Sequence, residues 1–311
     1  MRTVRFHTHG GPEVLRIDDV PLPEPTGGEV LIEIDAVGVT LPVVRLTRGQ
    51  SDVPLPHTPG GDIVGRVRGI GPGVTGRRVG ERVAGLAFSG AYAEAVTVPA
   101  AMMTAVPDDV DDLAALALVR GGQVALGVLR AGGFGEGDSV LVTAAAGGIG
   151  HLAVQLAAAL GAGRVTAAVG DAAKAGFARE QGADHVVTYD QEDWGDPVDL
   201  VLDGVGGTVQ DAGLRALAPL GRLVAFNGAG GTVDTNELRM RGLSVIGFAM
   251  AHLAARRRDT YERRQRELWQ LYRDGRLNPV VHEAMPLDRA ADAHRLLEAR
   301  ANRGKVVLLP R

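Results

Sequence analysis

The chain has 311 residues, 45% hydrophobic and 23% charged, with a formal net charge of −4. That composition suits a soluble globular protein of one large or two medium domains, and the charge draws it neither to nucleic acid nor to an anionic membrane. With no cysteine, disulfides, thiolate nucleophiles and cysteine-ligated metals are excluded.

The first hundred residues alternate apolar and polar positions over residues 30–34, 63–67 and 93–98, joined by Pro/Gly-rich connections at 21–28 and 54–61. This predicts a compact, mostly antiparallel β-lobe. Residues 108–128 turn helical, and their longest purely apolar run, 113–119, is too short to span a bilayer. Met1-Arg2-Thr3-Val4 opens no signal-peptide pattern, so a cytoplasmic location without a membrane partner is the expectation.

The most telling stretch follows. A β-rich run at 140–142 leads into Thr143-Ala144-Ala145-Ala146-Gly147-Gly148-Ile149-Gly150, and Ile149, Leu152, Ala153, Leu156 and Leu160 then recur at helical spacing. Unpaired N–H groups and a positive dipole end gather where such a helix begins, and glycine lets a pyrophosphate approach them. The spacing Ala144-x-x-Gly147-x-x-Gly150 is a variant of the dinucleotide fingerprint, with alanine at its first place. A turn serving only close packing is the competing reading.

Downstream, residues 164–169, 185–187, 198–202, 222–226 and 243–248 read as strands, with helices at 172–181 and 208–217. This alternation predicts a doubly wound parallel α/β sheet, with ligand beyond the strands' carboxyl ends. An NAD site commonly ends its second strand in an acid. Here Val169-Gly170 stands there, with Lys174 in the first turn of the next helix. NADPH is therefore expected over NADH, with Asp171 the one acid near enough to contest a 2′-phosphate and a plain surface lysine the competing reading of Lys174. Residues 259–273 are rich in arginine with glutamates interleaved, which predicts a solvated helix face rather than a nucleic-acid patch. A helix at 289–301 and a strand at 305–309 close the chain, the strand returning to the first lobe. The predicted division is 1–120 with 255–311 for a substrate lobe and 121–254 for the nucleotide domain, with the substrate in a cleft between them.

Other nucleotide and hydrolase classes fail on residues. Neither Lys174 nor Lys305 has a tyrosine four places earlier, Gly304-Lys305 runs into Val306 rather than Ser or Thr, and Ser51, Ser89, Ser139 and Ser244 lack a Gly-x-Ser-x-Gly setting.

The ordered segments Gly10-Gly11-Pro12-Glu13-Val14-Leu15, Gly28-Glu29-Val30-Leu31-Ile32, Pro59-Gly60-Gly61-Asp62-Ile63-Val64-Gly65, Val79-Gly80-Glu81-Arg82-Val83, Gly90-Ala91-Tyr92-Ala93-Glu94, Asp203-Gly204-Val205-Gly206-Gly207 and Gly304-Lys305-Val306-Val307-Leu308 resemble the zinc-independent quinone oxidoreductase and enoyl reductase branch of the medium-chain dehydrogenase/reductase superfamily. The resemblance spans essentially the whole chain and implies a Rossmann sheet beside a GroES-like lobe. It implies a cofactor set of Ala145, Ala146, Gly147, Gly148, Ile149 and Gly150 at the pyrophosphate, with Gly170, Lys174 and Tyr189 at the adenosine phosphate. Asp203, Val205, Asn227, Gly228, Phe248 and Met250 complete it toward the nicotinamide. It also implies a homodimer through the edge strand at 243–248. Zinc-dependent relatives carry a cysteine ligand and Gly-His-Glu where this chain has Gly61-Asp62, so no zinc is expected.

The pattern breaks at the acceptor side. Where relatives have Asn-Pro-x-Asp followed by a cleft-facing tyrosine or valine, this chain has Thr40-Leu41-Pro42-Val43-Val44-Arg45, and Val124 replaces a threonine. The implied activity is hydride transfer from NADPH to a small electrophilic acceptor, a quinone or an activated C=C bond (enone or enoyl). Thr40, Arg45, His57 and Gln123 are the candidate groups for polarising or binding the acceptor. A redox-inactive NADPH-binding structural or sensor protein is the alternative.

Overall fold

The computed structural model describes residues 1–311 apart from the side chain of Ala255, and its contacts divide it into two units, 1–120 with 280–311 and 121–279. In the first unit β1 (Arg2–Arg5) pairs antiparallel with β2 (Arg16–Asp19). A larger sheet is built on β3 (Glu29–Val39), flanked by β4 (Pro59–Ile70) and β6 (Ala95–Pro99), with β5 (Arg82–Ser89) and β7 (Met103–Ala105) continuing beyond β4. Val30, Ile32, Ile34 and Val37 of β3 are fully buried, as β-branched residues on a central strand should be. After β3 the chain enters α1 (Leu41–Thr47), with Pro42 in its first turn. No periodic signal announces a helix of seven residues.

The helix α2 (Asp112–Ala117) is capped by Asp111, whose carboxylate accepts from the Ala114 N–H at 2.8 Å. A π-turn at Leu118–Gly122 carries the chain into α3 (Gln123–Ala131). Taken together, Asp112–Ala131 is long and apolar enough to cross a membrane, but 83% of its most apolar window is buried inside the protein, as in a core segment.

The second unit continues with β8 (Ser139–Val142), α4 (Gly150–Ala159), β9 (Arg164–Val169), α5 (Ala175–Glu180), β10 (His185–Thr188), β11 (Val198–Asp203), α6 (Gly207–Arg215), β12 (Leu217–Ala225), α7 (Thr235–Arg241) and β13 (Ser244–Gly247). Its strands are all parallel, in the order β10-β9-β8-β11-β12-β13. This is the expected doubly wound sheet, and its order reverses direction between β8 and β11, where such sheets bind ligand. The helices α8 (Met250–Arg256) and α9 (Arg258–Arg273) follow. Residues 255–279, expected with the first lobe, group with this unit instead. The reason is packing: α9 lies against α3 and buries Tyr261, Leu268 and Trp269, while its arginine-rich side stays outward.

The chain then rejoins the first unit through β14 (Val281–Pro286), α10 (Ala290–Glu298) and β15 (Lys305–Leu309). β15 pairs antiparallel with β3, Val307 opposite Gly38, and parallel with β14. On α10, His294 is buried and its Nε2 lies 3.1 Å from the Tyr92 hydroxyl. Burial pushes this imidazole down to about 4. Below its unfolded value near 6.5 the unfolded chain takes up a proton that the folded chain refuses, so stability falls as pH drops from about 6.5 to about 4. The loss amounts to about 3 kcal/mol, and His294→Gln should remove this part of the slope in urea titrations across that window.

Candidate active site

The glycine turn leaves the carboxyl end of β8 and delivers Gly150 as the first residue of α4. Ala144, at the first place of the fingerprint, has φ +49°, a left-handed conformation that explains why glycine is usual there. Two bonds hold it: its N–H donates to the Tyr189 hydroxyl at 2.7 Å, and its carbonyl accepts from the Gly147 N–H at 2.8 Å. Gly150 is required by space. A Cβ there would lie 2.1 Å from the Ala144 carbonyl oxygen and 2.8 Å from the Ala145 Cα, both backbone atoms. No side chain caps the start of α4; the His151 N–H is taken by the Gly147 carbonyl at 3.1 Å, and the remaining N–H groups of the turn are those an anion can meet.

At the end of β9, Gly170 is exposed and the Tyr189 ring lies beside it, 3.5 Å from where a Cβ would stand. Tyr189 thus braces the end of the second strand against the glycine turn, a role the sequence did not disclose. Asp171 turns its Oδ1 onto the Ala173 N–H at 2.8 Å, which directs that oxygen into the local turn. Lys174 closes the same turn, half-buried, just before α5.

At the ends of β11 and β12 the chain folds two loops onto each other. The Ala229 N–H donates to the Val205 carbonyl at 2.9 Å, and a Cβ on Gly228 (φ +112°) would meet that carbonyl oxygen at 2.2 Å. Val205, Asn227 and Gly228 are therefore brought together, Asn227 exposed. Phe248, beyond β13, rests its ring on α3, where a Cβ at Gly127 would sit 2.3 Å from it, and Met250 opens α8.

Two expected site residues are occupied elsewhere. Asp203 is completely buried; its carboxylate accepts from the Thr143 hydroxyl at 3.0 Å and from the Val205 and Gly206 N–H groups at 3.0 and 3.1 Å. It shapes the loop carrying Val205 instead of reaching a ligand. Gln123 is also completely buried; its amide donates to the Tyr261 carbonyl at 2.9 Å and to Gln265 Oε1 at 3.1 Å. It ties α3 to α9 and has no surface for an acceptor.

In the first unit, Thr40 precedes α1 without capping it, and its buried Oγ1 has no hydrogen-bond partner. His57 Nε2 is likewise buried and unpartnered, as is His9 Nδ1, which the sequence reading missed because nothing in its spacing marks it. The His9 and His57 rings each lie 5.5 Å from the Phe6 ring. Burial and the neighbouring His9 lower the His57 pKa, with the Pro54 backbone opposing them, so the imidazole is held neutral near pH 7. Buried polar atoms without partners call for a further group to complete their bonding, and Gln123 Oε1, Gln265 Nε2, Trp194 Nε1, Arg164 Nε and Arg264 Nη1 share the condition elsewhere in the chain.

Asp62 belongs to the Gly61-Asp62 pair that the resemblance sets where zinc-dependent relatives have His-Glu. Burial raises its pKa, but Lys305 at 2.5 Å and Arg120 at 3.2 Å outweigh that and hold it below the usual carboxylate range. A carboxylate engaged by two cations is a poor zinc ligand. Among the described residues no cluster of three or more His, Asp or Glu side chains has a metal-holding arrangement.

Two family models match the chain: alcohol dehydrogenase GroES-like domain over residues 26–108, and zinc-binding dehydrogenase over residues 181–308. A 2-haloacrylate reductase from a Burkholderia species is 32% identical, over 98% of both chains. A quinone oxidoreductase of Pseudomonas aeruginosa is 31% identical over 99% of both. The Escherichia coli quinone oxidoreductase solved with NADPH superposes with a TM-score of 0.91 at 30% identity, covering all of each chain.

Proposed function

The chain belongs to the quinone oxidoreductase branch of the medium-chain dehydrogenase/reductase superfamily, and from that premise we propose that it is a zinc-free NADPH-dependent reductase of an electrophilic acceptor, either a quinone or an activated C=C bond. The observation that carries this reading is the glycine turn: an uncapped helix start whose third glycine is forced by backbone contact, beside a strand, β9, that is followed by Gly170 where an NAD site commonly has an acid.

In this reading Ala145 to Gly150 hold the pyrophosphate, Lys174 and Tyr189 lie at the 2′-phosphate, and Val205, Asn227, Gly228, Phe248 and Met250 border the nicotinamide. When bound, NADPH supplies a hydride, that is, two electrons with one hydrogen nucleus. The acceptor takes that hydride at an electron-poor carbon and a proton at the atom that receives the displaced charge. Thr40 and His57 are the groups we assign to the acceptor's oxygen, since each has a polar atom without a protein partner. A hydroxyl donor there stabilises the developing enolate or phenolate oxygen.

Lys174→Ala is expected to lower the preference for NADPH over NADH, measured as a ratio of kcat/KM, about tenfold to a hundredfold, the size of a lost charge-assisted hydrogen bond to phosphate. An unchanged ratio would remove Lys174 from the phosphate site. The function itself is tested by NADPH oxidation against quinones, enones and enoyl thioesters. Tight NADPH binding with no acceptor turned over would favour a sensor or structural role instead.

A further inference from the structure

His151 is the second residue of α4 and is completely buried, on a helix whose neighbouring Leu152, Ala153, Val154 and Leu156 are apolar and equally buried. Burying an imidazole costs free energy unless its polar atoms are bonded, so a leucine here would pack at lower cost. The bond it makes is specific. Its Nδ1 lies 2.8 Å from the Gly147 carbonyl oxygen, and its own backbone N–H reaches the same oxygen at 3.1 Å. A carbonyl only accepts, so Nδ1 carries the proton and the tautomer is fixed. The Phe177 ring of α5, 6.3 Å from the imidazole, adds a contact from the neighbouring helix.

The carbonyl held in this way belongs to the peptide between Gly147 and Gly148. A peptide flanked by two glycines is the freest to turn over, because neither neighbour has a Cβ to restrict it. It is also trans, so its N–H points opposite to its C=O. Two donors from one residue draw the Gly147 oxygen toward α4, and the Gly148 N–H is thereby aimed away from the helix, off its starting end. We propose that His151 is a positioning residue: its Nδ1–H locks the Gly147-Gly148 peptide so that the Gly148 N–H meets a phosphate oxygen of the cofactor. Docking then needs no turning of this peptide, which lowers the ordering cost of binding. The proposal rests on the reading of the glycine turn as the pyrophosphate site of NADPH, and adds to it the side chain that sets the turn's aim.

Two variants and one measurement on the wild type test it. His151→Leu removes the donor and keeps an apolar side chain, whereas His151→Asn supplies an amide N–H at the same bond separation from the backbone. Calorimetry should show NADPH binding about tenfold weaker in His151→Leu, the size of one weakened hydrogen bond to a charged group, and within about threefold of wild type in His151→Asn. Both should melt within about 5 °C of the wild type, since neither opens the core. In wild type labelled with 15N-glycine, the Gly148 amide proton should move downfield when NADPH is added, and this arm decides the matter even if a variant fails to fold. Unchanged NADPH affinity in His151→Leu, equal losses in both variants, or a Gly148 amide that stays in place while NADPH binds each overturns the positioning role and leaves the NADPH reading standing. Failure of the wild type to bind NADPH overturns that reading, and the proposal with it.

Discussion

Gly150→Ala is expected to abolish NADPH binding at concentrations that saturate the wild type. The added Cβ would lie 2.1, 2.7 and 2.8 Å from the Ala144 oxygen, the Ala144 carbonyl carbon and the Ala145 Cα. None of these can rotate away, as a flexible side chain would. Relief requires α4 to retreat from β8, which takes the first-turn N–H groups out of line with the pyrophosphate and opens the packing of Leu152 and Leu156, both fully buried. Overpacking of this kind costs about 1–3 kcal/mol in stability. The effect on binding is larger, because several N–H groups lose their aim together. Gly176→Ala is the matching control: it lies inside α5 with nothing within 4 Å of its would-be Cβ, and should stabilise the protein by about 0.5–1 kcal/mol. Titration of intrinsic fluorescence with NADPH, beside melting curves for both variants, separates lost binding from lost fold. Near-normal NADPH affinity in Gly150→Ala would contradict the assignment of the turn.

The second large effect is on stability. Lys305→Met should cost about 3–5 kcal/mol, because it leaves the Asp62 carboxylate buried with only the partly exposed Arg120 to balance it. The pair joins β15 to β4 across β3, and a Cβ at Gly38 would sit 2.6 Å from the Lys305 ammonium nitrogen, so the end of the lysine side chain lies directly over that strand. Asp62→Leu combined with Lys305→Met removes both charges and should recover most of the loss. The sign with pH is fixed as well. Asp62 is held below its unfolded value in the wild type, so its contribution is present above about pH 4 and is lost as pH falls through the depressed folded pKa. In Lys305→Met that protective cation is gone, and the deficit against wild type should shrink as acid neutralises the carboxyl. Urea titrations at pH 7 and pH 4 measure it; a deficit that grows toward pH 4 would contradict the account.

The nucleotide sheet was legible because its signals are local. Val140 to Val142, the glycine turn and the apolar spacing after Ile149 each mark one element, and the absence of an acid at Gly170 is read directly. Polar residues were misread for the opposite reason. Gln123 and Asp203 look available in sequence, yet their partners, Tyr261 and Thr143, lie 138 and 60 residues away, and only the fold reveals that the Gln123 amide nitrogen and the Asp203 carboxylate are engaged within the protein, Gln123 keeping a buried Oε1 without a partner. Helix α9 groups with the nucleotide unit through the buried Tyr261 and Trp269, which are inconspicuous in the sequence beside its charged face. The surface pocket that Arg45 lines needed both α1, too short to announce itself, and the end of α10, some 250 residues further along the chain.

The central claim, that this chain moves hydride from NADPH to carbon, is tested most directly by isotope transfer. NADPH carrying deuterium at C4 of the nicotinamide, on each face in turn, is incubated with the protein and 2-chloroacrylate or an enone, and the reduced product is examined by mass spectrometry and NMR. The account predicts one deuterium per product molecule, at the β-carbon, from one face only, with the α-hydrogen drawn from solvent. Product without deuterium from either face, or no product while NADPH remains bound, would contradict it.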